Sequence, residues 1–276
     1  REGAGPEDYA AAWLARLVGP GGEVAFAIDP RARVLEPRGE FYHARSAIAI
    51  EALAAHGGHG AAVARARRWL SREIARALGG ARVEGFPEDT AAAAGALALA
   101  HRAGVDLRAP LLRFAGRAEL RAAPWHAAQV ALALGRDAPD ALWAACVADV
   151  GPRPFAPWTV MAARARGDMG ALREAAAKLS GCLRARRPHA GGAAVTRVPE
   201  TALTAVAAHA LLGLPGHRAD ARRALDFVRA RQLLPGRIPA ALDPALALGG
   251  FSASPVLDLL RGDITGHALL ALLADR

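Results

Sequence analysis

What this chain of 276 residues has little of narrows it first. There are only two cysteines, Cys146 and Cys182, both inside apolar helical patterns and with no second pair nearby. A zinc finger and a CxxC redox motif are therefore excluded, and buried free thiols are expected. Aromatic residues are scarce at 5%, so the 53% of hydrophobic residues are mostly Ala, Leu and Val, a mixture that favours close helix packing over strands. Lysine is nearly absent: Lys178 stands alone, and the net charge of +9 is carried by arginine, as in chains from GC-rich genomes. The arginines are spread along the chain, and the densest groups, Arg65, Arg67 and Arg68 or Arg184, Arg186 and Arg187, lack interleaved aromatics. A nucleic-acid partner is not expected from such a distribution. No apolar run reaches the ~18 residues that span a bilayer, because Arg, His or Gly interrupts each one. The compartment stays open, with a slight lean to the cytoplasm; the chain opens on Arg1 rather than Met, which leaves room for an upstream segment.

What is present is helical periodicity, in about twelve segments of two alternating kinds. Residues 8–18, 61–78, 107–117, 139–149, 169–186 and 219–232 are amphipathic. In the second of these Val63, Leu70 and Ile74 share a stripe beside Trp69, while Arg65, Arg68, Arg72 and Arg76 lie away from it. Residues 43–55, 89–101, 125–134, 157–165, 199–213 and 263–274 are apolar nearly all round, which predicts protein on both faces and hence an inner layer. Six such pairs over residues 1–276 predict one all-α domain, an (α/α)6 toroid of six helical hairpins, with an open HEAT-like α-solenoid as the alternative. The count stops at six, and no terminal pair looks like a polar cap. Two stretches break the rhythm. Residues 20–42 carry a short alternating run, Val24, Phe26 and Ile28, that predicts a hairpin or extended arm, and residues 233–262 form an irregular insertion of the kind that serves as a lid or binding loop.

The unusual side chains gather at the N-terminal ends of the apolar segments. In order these are Phe41, Tyr42, His43 and Arg45; Phe86, Glu88, Asp89 and Thr90; Trp125, His126 and Gln129; Arg153, Pro154, Phe155 and Trp158; Glu200 and Thr201; and Arg261, Asp263 and His267. If the inner helices run parallel, these ends share one rim and one mouth. Asp89, Thr90, Glu200, Thr201 and Asp263 also suit helix capping, and Pro87, Pro124, Pro157 and Pro199 suit helix starts. Capping leaves the aromatics and histidines of the rim unexplained, whereas Trp13, Trp69 and Trp143 fall mid-helix as ordinary core. Aromatic faces beside carboxylates, His and Arg fit a sugar-like ligand, whose C–H surfaces stack and whose hydroxyls take hydrogen bonds. Two opposed carboxylates could then act as acid and base, Glu88 or Asp89 facing Asp263 or Glu200. Substrate-binding roles fall to Tyr42, His43, Arg45, Trp125, His126, Trp158 and His267.

Residues 22–53, GEVAFAIDPRARVLEPRGEFYHARSAIAIEAL, resemble the segment of six-hairpin glycosidase-like proteins in which a Gly-containing arm precedes a Tyr/His/Arg-bearing first inner helix. The resemblance implies the toroid; such toroids include hydrolases, lyases, epimerases and inactive relatives. A second stretch, FPEDTA at 86–91, is similar to the DxDDTA motif of class II terpene cyclases, and DITGHALLAL at 263–272 resembles the repeats of squalene cyclase and prenyltransferase toroids. Here Phe86 stands where that motif has its first Asp, and aromatics are few for a carbocation pocket. Relatives of that kind sometimes hold zinc through Asp, Cys and His. Asp263 and His267 sit four residues apart, with His43 or His126 as a third ligand, but such pairs are common and no metal or other cofactor is assigned. The expectation is a carbohydrate-active enzyme working at the rim; a non-catalytic scaffold that binds a protein partner and a terpene cyclase or prenyltransferase-like enzyme are the alternatives.

Overall fold

The computed structural model describes residues 3–36, 38–39, 41–148, 156–183, 190–193 and 198–276. Arg153, Pro154 and Phe155 of the expected rim, the Arg184, Arg186 and Arg187 group, and the last residues of the helices expected to end at 149 and 186 lie outside the described residues. In chain order the helices are α1 (Pro6–Leu17), α2 (Tyr42–His56), α3 (Gly60–Leu78), α4 (Thr90–Arg102), α5 (Arg108–Ala115), α6 (Ala118–Arg121) and α7 (Pro124–Leu134). They continue as α8 (Asp140–Ala148), α9 (Ala156–Arg166), α10 (Met169–Gly181), α11 (Thr201–Leu211), α12 (Arg218–Arg229), α13 (Pro244–Ala247) and α14 (Gly262–Ala274).

Local chemistry accounts for these segments. The Asp89 carboxylate accepts the Ala92 N–H at 2.8 Å and starts α4, and Asp168 takes the N–H groups of Gly170 and Ala171 at the start of α10. Proline opens α1 and α7, where its missing N–H has no helical partner to lose. Gly57 ends α2 in the left-handed region, at φ 82°. Helix α3 buries Val63, Ala66, Leu70 and Ile74 and leaves Arg68, Arg72 and Arg76 in water, so it needs a partner on one side only. In α4 every residue from Ala91 to Ala100 is buried, so it needs partners all round.

That difference builds two layers. Helices α2, α4, α7, α9, α11 and α14 each pack on the next, and α14 packs back on α2, which closes the ring and rules out the open solenoid. Outside them lie α1, α3, α5 with α6, α8, α10 and α12. The protein is thus an all-α toroid. At the closing seam a Cβ on Gly266 would stand 3.0 Å from the Ile48 side chain and 3.1 Å from its carbonyl oxygen, so glycine sets how near α14 comes to α2.

The arm near the start becomes β1 (Ala27–Asp29) and β2 (Val34–Glu36), joined by a hairpin. Two further strands, β3 (Ser252–Ser254) and β4 (Leu257–Arg261), complete an antiparallel sheet in the order β2-β1-β4-β3. Ala27 pairs with Arg261 and Ile28 with Leu260, and the Gly262 N–H reaches the Phe26 carbonyl at 3.1 Å. The sheet therefore hands β4 directly into α14 and reinforces the seam.

Within residues 233–262, expected as an irregular insertion, the structure forms α13, β3 and β4, and the apolar residues Leu242, Ala247 and Phe251 are buried. The Trp13 indole donates to the Leu246 carbonyl at 2.8 Å, and Gly249, at φ 94°, lies against the Tyr9 carbonyl, where a Cβ would approach to 2.1 Å. The segment is held on α1 because that is where its apolar side chains find cover. Of the thiols, Cys146 is buried, which pushes it up to about 12, and Cys182 is half-buried and also raised by burial.

Candidate functional site

Helical phase decides which rim residues face the axis of the ring. On α2, Arg45 reaches Asp263 of α14 at 3.8 Å, across the seam. His43 precedes it by two residues, a step of about 200° that turns it away from the seam, whereas Tyr42, three residues before Arg45, lies only about 60° from it around the helix. Both are buried in the wall between α2 and α3: Trp69 lies edge-on to Tyr42 at 5.4 Å and stacks on His43 at 5.5 Å, with Phe86 at 5.9 Å from His43. Neither ring, expected to bind substrate, has more than 2% of its surface exposed. Burial pushes the Tyr42 hydroxyl up to about 12 and holds His43 below its ordinary value, although the Gly85 backbone and Glu73 favour its protonated form.

Asp263 is the centre of the first rim grouping. Its two oxygens accept from Arg261 at 2.9 and 2.5 Å, and only 8% of its side chain is exposed. Burial alone would raise its pKa; Arg261 and then Arg45 outweigh that and hold the carboxyl below its ordinary value. Arg261 in turn is kept above its ordinary value by Asp263 and Glu200 against the cost of burial. Both guanidiniums lie over the Phe26 ring, Arg45 at 4.9 Å and Arg261 at 5.7 Å, so the arm aims them at one carboxylate. Glu200 begins α11 without using its side chain as a cap and lies within electrostatic range of Arg261.

The second grouping spans α4 and α7. His126 meets Gln129 Oε1 at 3.2 Å, stacks on the 40% exposed Trp125, and is held below its ordinary value by burial, with Gln129 and Asp89 opposing. A Cβ on Gly95 would come 2.5 Å from both His126 Nδ1 and Gln129 Oε1, so this glycine makes the niche they fill. Asp89 spends its carboxylate as the cap of α4. Glu88 is turned outward: its side chain is 86% exposed, 3.9 Å from Arg82, beside a solvent-open cavity of about 350 Å³ that it lines with Arg82 and Phe86.

One turn below Asp263 two of the expected residues, Trp158 and His267, meet side chains that the sequence did not single out, Arg102, Glu51 and His209. Trp158 of α9 meets His267 of α14 edge-on at 5.9 Å, and the Arg102 guanidinium of α4 lies 5.5 Å over the same indole. Arg102 also binds Glu51 of α2 at 2.5 Å and acts electrostatically on His209 of α11 and on His267. A single side chain that reaches four other inner helices lies at the axis of the ring. His209 and His267 are surrounded by protein yet keep part of their surface accessible, as side chains lining an internal space do. Burial, with Arg102 adding to it, lowers each to about 4, so both are neutral imidazoles near neutral pH. The available signal was a charged or imidazole side chain in a segment apolar all round, Glu51, Arg102 and His209, since a buried polar group is the informative exception.

Asp263 and His267 share a helix face, but Arg261 occupies both Asp263 oxygens, and among the described residues no three His, Cys, Asp or Glu side chains come close enough to hold a metal ion. Among the described residues no helix is long and apolar enough to cross a membrane.

No protein-family profile matches the sequence, and no curated protein matches it. Solved structures do match the fold. A wild-type glycosidase superposes with a TM-score of 0.54 at 16% identity, over 98% of this chain and 95% of that one. A glycosidase variant in complex with glucose superposes with a TM-score of 0.52, again at 16% identity and the same coverage. The chain therefore shares its fold with these glycosidases over nearly the full length of both chains.

Proposed function

We propose that the protein is a carbohydrate-active enzyme that binds a saccharide in the mouth of the toroid. The observation that carries this reading is a cluster of polar and aromatic side chains on the inner helices: the Trp158 ring meets His267 and Arg102, with Arg45, Arg261 and Asp263 one turn above. An indole covers the C–H face of a sugar ring while guanidinium, carboxylate and neutral imidazole bind its hydroxyls. The likeness to glycosidases, one of them in complex with glucose, points the same way.

In this reading Asp263 is the carboxylate that stays charged, suited to stabilising positive charge that develops on a sugar ring, and Glu200 is the second acid. Glu88 and Asp89 stand aside, one in solvent and one as a cap. The cyclase alternative fits less well, because a cluster holding Arg102, Glu51 and Asp263 places fixed charge where a carbocation would need aromatic faces.

The test is a panel of monosaccharides, disaccharides and aryl glycosides, followed by ligand-detected NMR for binding and by product analysis for turnover. Trp158→Ala is expected to weaken binding about tenfold, and Asp263→Asn to reduce turnover more than binding. A protein that binds sugars without converting any of them is a binding module, and one that binds none refutes the reading.

A further inference from the structure

Among the described residues, only His43 buries both nitrogens of its ring without a hydrogen-bond partner for either. The Gly85 backbone comes near enough to favour the charged ring yet falls short of a hydrogen bond. Trp69 stacks on the imidazole at 5.5 Å, while Tyr42 and Phe86 stand edge-on to it at 5.2 and 5.9 Å. An aromatic box of this kind suits a neutral imidazole, because a charge taken out of water needs a partner. The charged groups that face the ring supply none. Glu73 of α3 is 3.9 Å away and already meets Arg76 at 3.0 Å. Arg38, which follows β2, opposes protonation, and the Tyr42 hydroxyl, pushed up to about 12, is uncharged. Burial outweighs Glu73 and Gly85, so the closed box keeps the ring neutral.

The walls of the box differ in how firmly they are held. Helices α2 and α3 are anchored in the core through Ile50, Leu53, Leu70 and Ile74. Phe86 instead belongs to loop 79–89, between α3 and α4, whose apolar anchors are Val83 and Phe86 itself. Its outer ties are ion pairs in solvent: Arg38 with Glu84 at 2.7 Å, their side chains 49% and 75% exposed, and Arg82 with Glu88 at 3.9 Å. Pairs as exposed as these hold weakly. Gly85, at φ 76°, lets the loop lie flat on α2, where a Cβ would come 2.8 Å from the Tyr42 Cβ. Phe86 also lines the solvent-open cavity of about 350 Å³, so its ring has room to leave the box without displacing the core.

We propose that loop 79–89 is an acid-released latch, shut over His43 while that ring is neutral and opened when the ring takes a proton. Opening gives His43 water in place of Phe86, and the ring then titrates at its ordinary value of about 6.5. The closed form holds the ring below that value, so closure is fully favoured above about pH 6.5 and loses ground as pH falls, by up to about tenfold in the opening equilibrium per pH unit. The loop ends at Asp89, the cap of α4, so the part that moves borders the start of an inner helix. The latch does not depend on the saccharide reading.

The test is amide hydrogen exchange, followed by NMR on the intact protein at about pH 7.5 and about pH 5.5, with each rate divided by the intrinsic rate at the same pH. The reporter is the Phe86 N–H, which donates to the Val83 carbonyl at 3.1 Å in the closed loop. Its protection is expected to fall about tenfold between the two conditions, and that of the α11 amides around His209 to fall by less. Unchanged protection at Phe86 overturns the latch, and so does a fall shared equally by α11, which would be a loosening of the whole ring. His43→Gln, which cannot take the proton, is expected to hold the same protection in both conditions; a fall that persists in it assigns the effect elsewhere and overturns the proposal. Should that variant not fold, the wild type still decides. With 15N-labelled histidine, the His43 ring should gain its proton over the same pH range in which Phe86 loses protection. A ring that charges while Phe86 stays protected, or stays neutral while protection is lost, overturns the latch.

Discussion

Asp263→Asn is the perturbation that tests most of this description at once. The substitution keeps the shape of the side chain and deletes the charge that two guanidiniums share. Breaking a buried pair by removing one partner costs about 3–5 kcal/mol. Arg45 and Arg261 remain 23% and 25% exposed and lie over Phe26, so part of their charge stays solvated and about 2–3 kcal/mol is the expected loss. For a chain of this size that corresponds to a fall in Tm of about 4–12 °C. The pH dependence has a definite sign. Arg261 and Arg45 hold Asp263 below its ordinary carboxylate value in spite of burial, so its contribution is complete above the unfolded value of about 4 and is lost as pH falls through the lower folded value. Thermal melts followed by far-UV circular dichroism should show the gap between wild type and variant at about pH 7 and its narrowing towards about pH 2.5. Equal melting temperatures at the higher pH, or a gap that does not narrow in acid, would refute the account of the seam.

Gly266→Ala should lower Tm, since the new methyl meets the Ile48 carbonyl, an overpacking loss of about 1–3 kcal/mol that chemical denaturation can read. Asp89→Ala should cost about 1 kcal/mol as a lost cap, whereas Glu88→Gln, in solvent, should leave both stability and ligand binding unchanged in the same assays. His209 and His267, lowered to about 4, make the wild type lose stability as pH falls from the unfolded value of about 6.5 towards 4. His209→Gln or His267→Gln should flatten that part of the profile, and an unchanged slope would place both rings outside the interior.

The layer structure was legible because packing leaves its mark within a single segment. TAAAAGALALA has no polar stripe and can only be an inner helix, and the arginine stripe of α3 can only be an outer one. The finer division was less visible: the segment expected at 107–117 is α5 followed by the separate turn of α6 after Gly116. The sheet was half legible. Residues near Val24, Phe26 and Ile28 announced an arm, but nothing local in residues 252–261 announces that β4 pairs with β1 from the other end of the chain, because register between distant strands is set by tertiary contact. The rim was read from helix ends, which drew in Asp263, Arg45 and Trp158 and equally Tyr42 and His43, which are buried against Trp69. Arg102 escaped notice for a related reason. An arginine in a last turn is what a helix dipole favours, and only the closed ring shows that its side chain runs inward.

The seam between α14 and α2 joins parts of the chain that are nearly its whole length apart, while every other step round the ring joins neighbours in sequence. Assembly therefore has an order imposed by chain entropy: five local junctions can form as the helices appear, and the sixth waits for the end. Until it forms, Arg45 and Asp263 sit at opposite ends of an open stack, and the ion pair that joins them is made only as the circle closes.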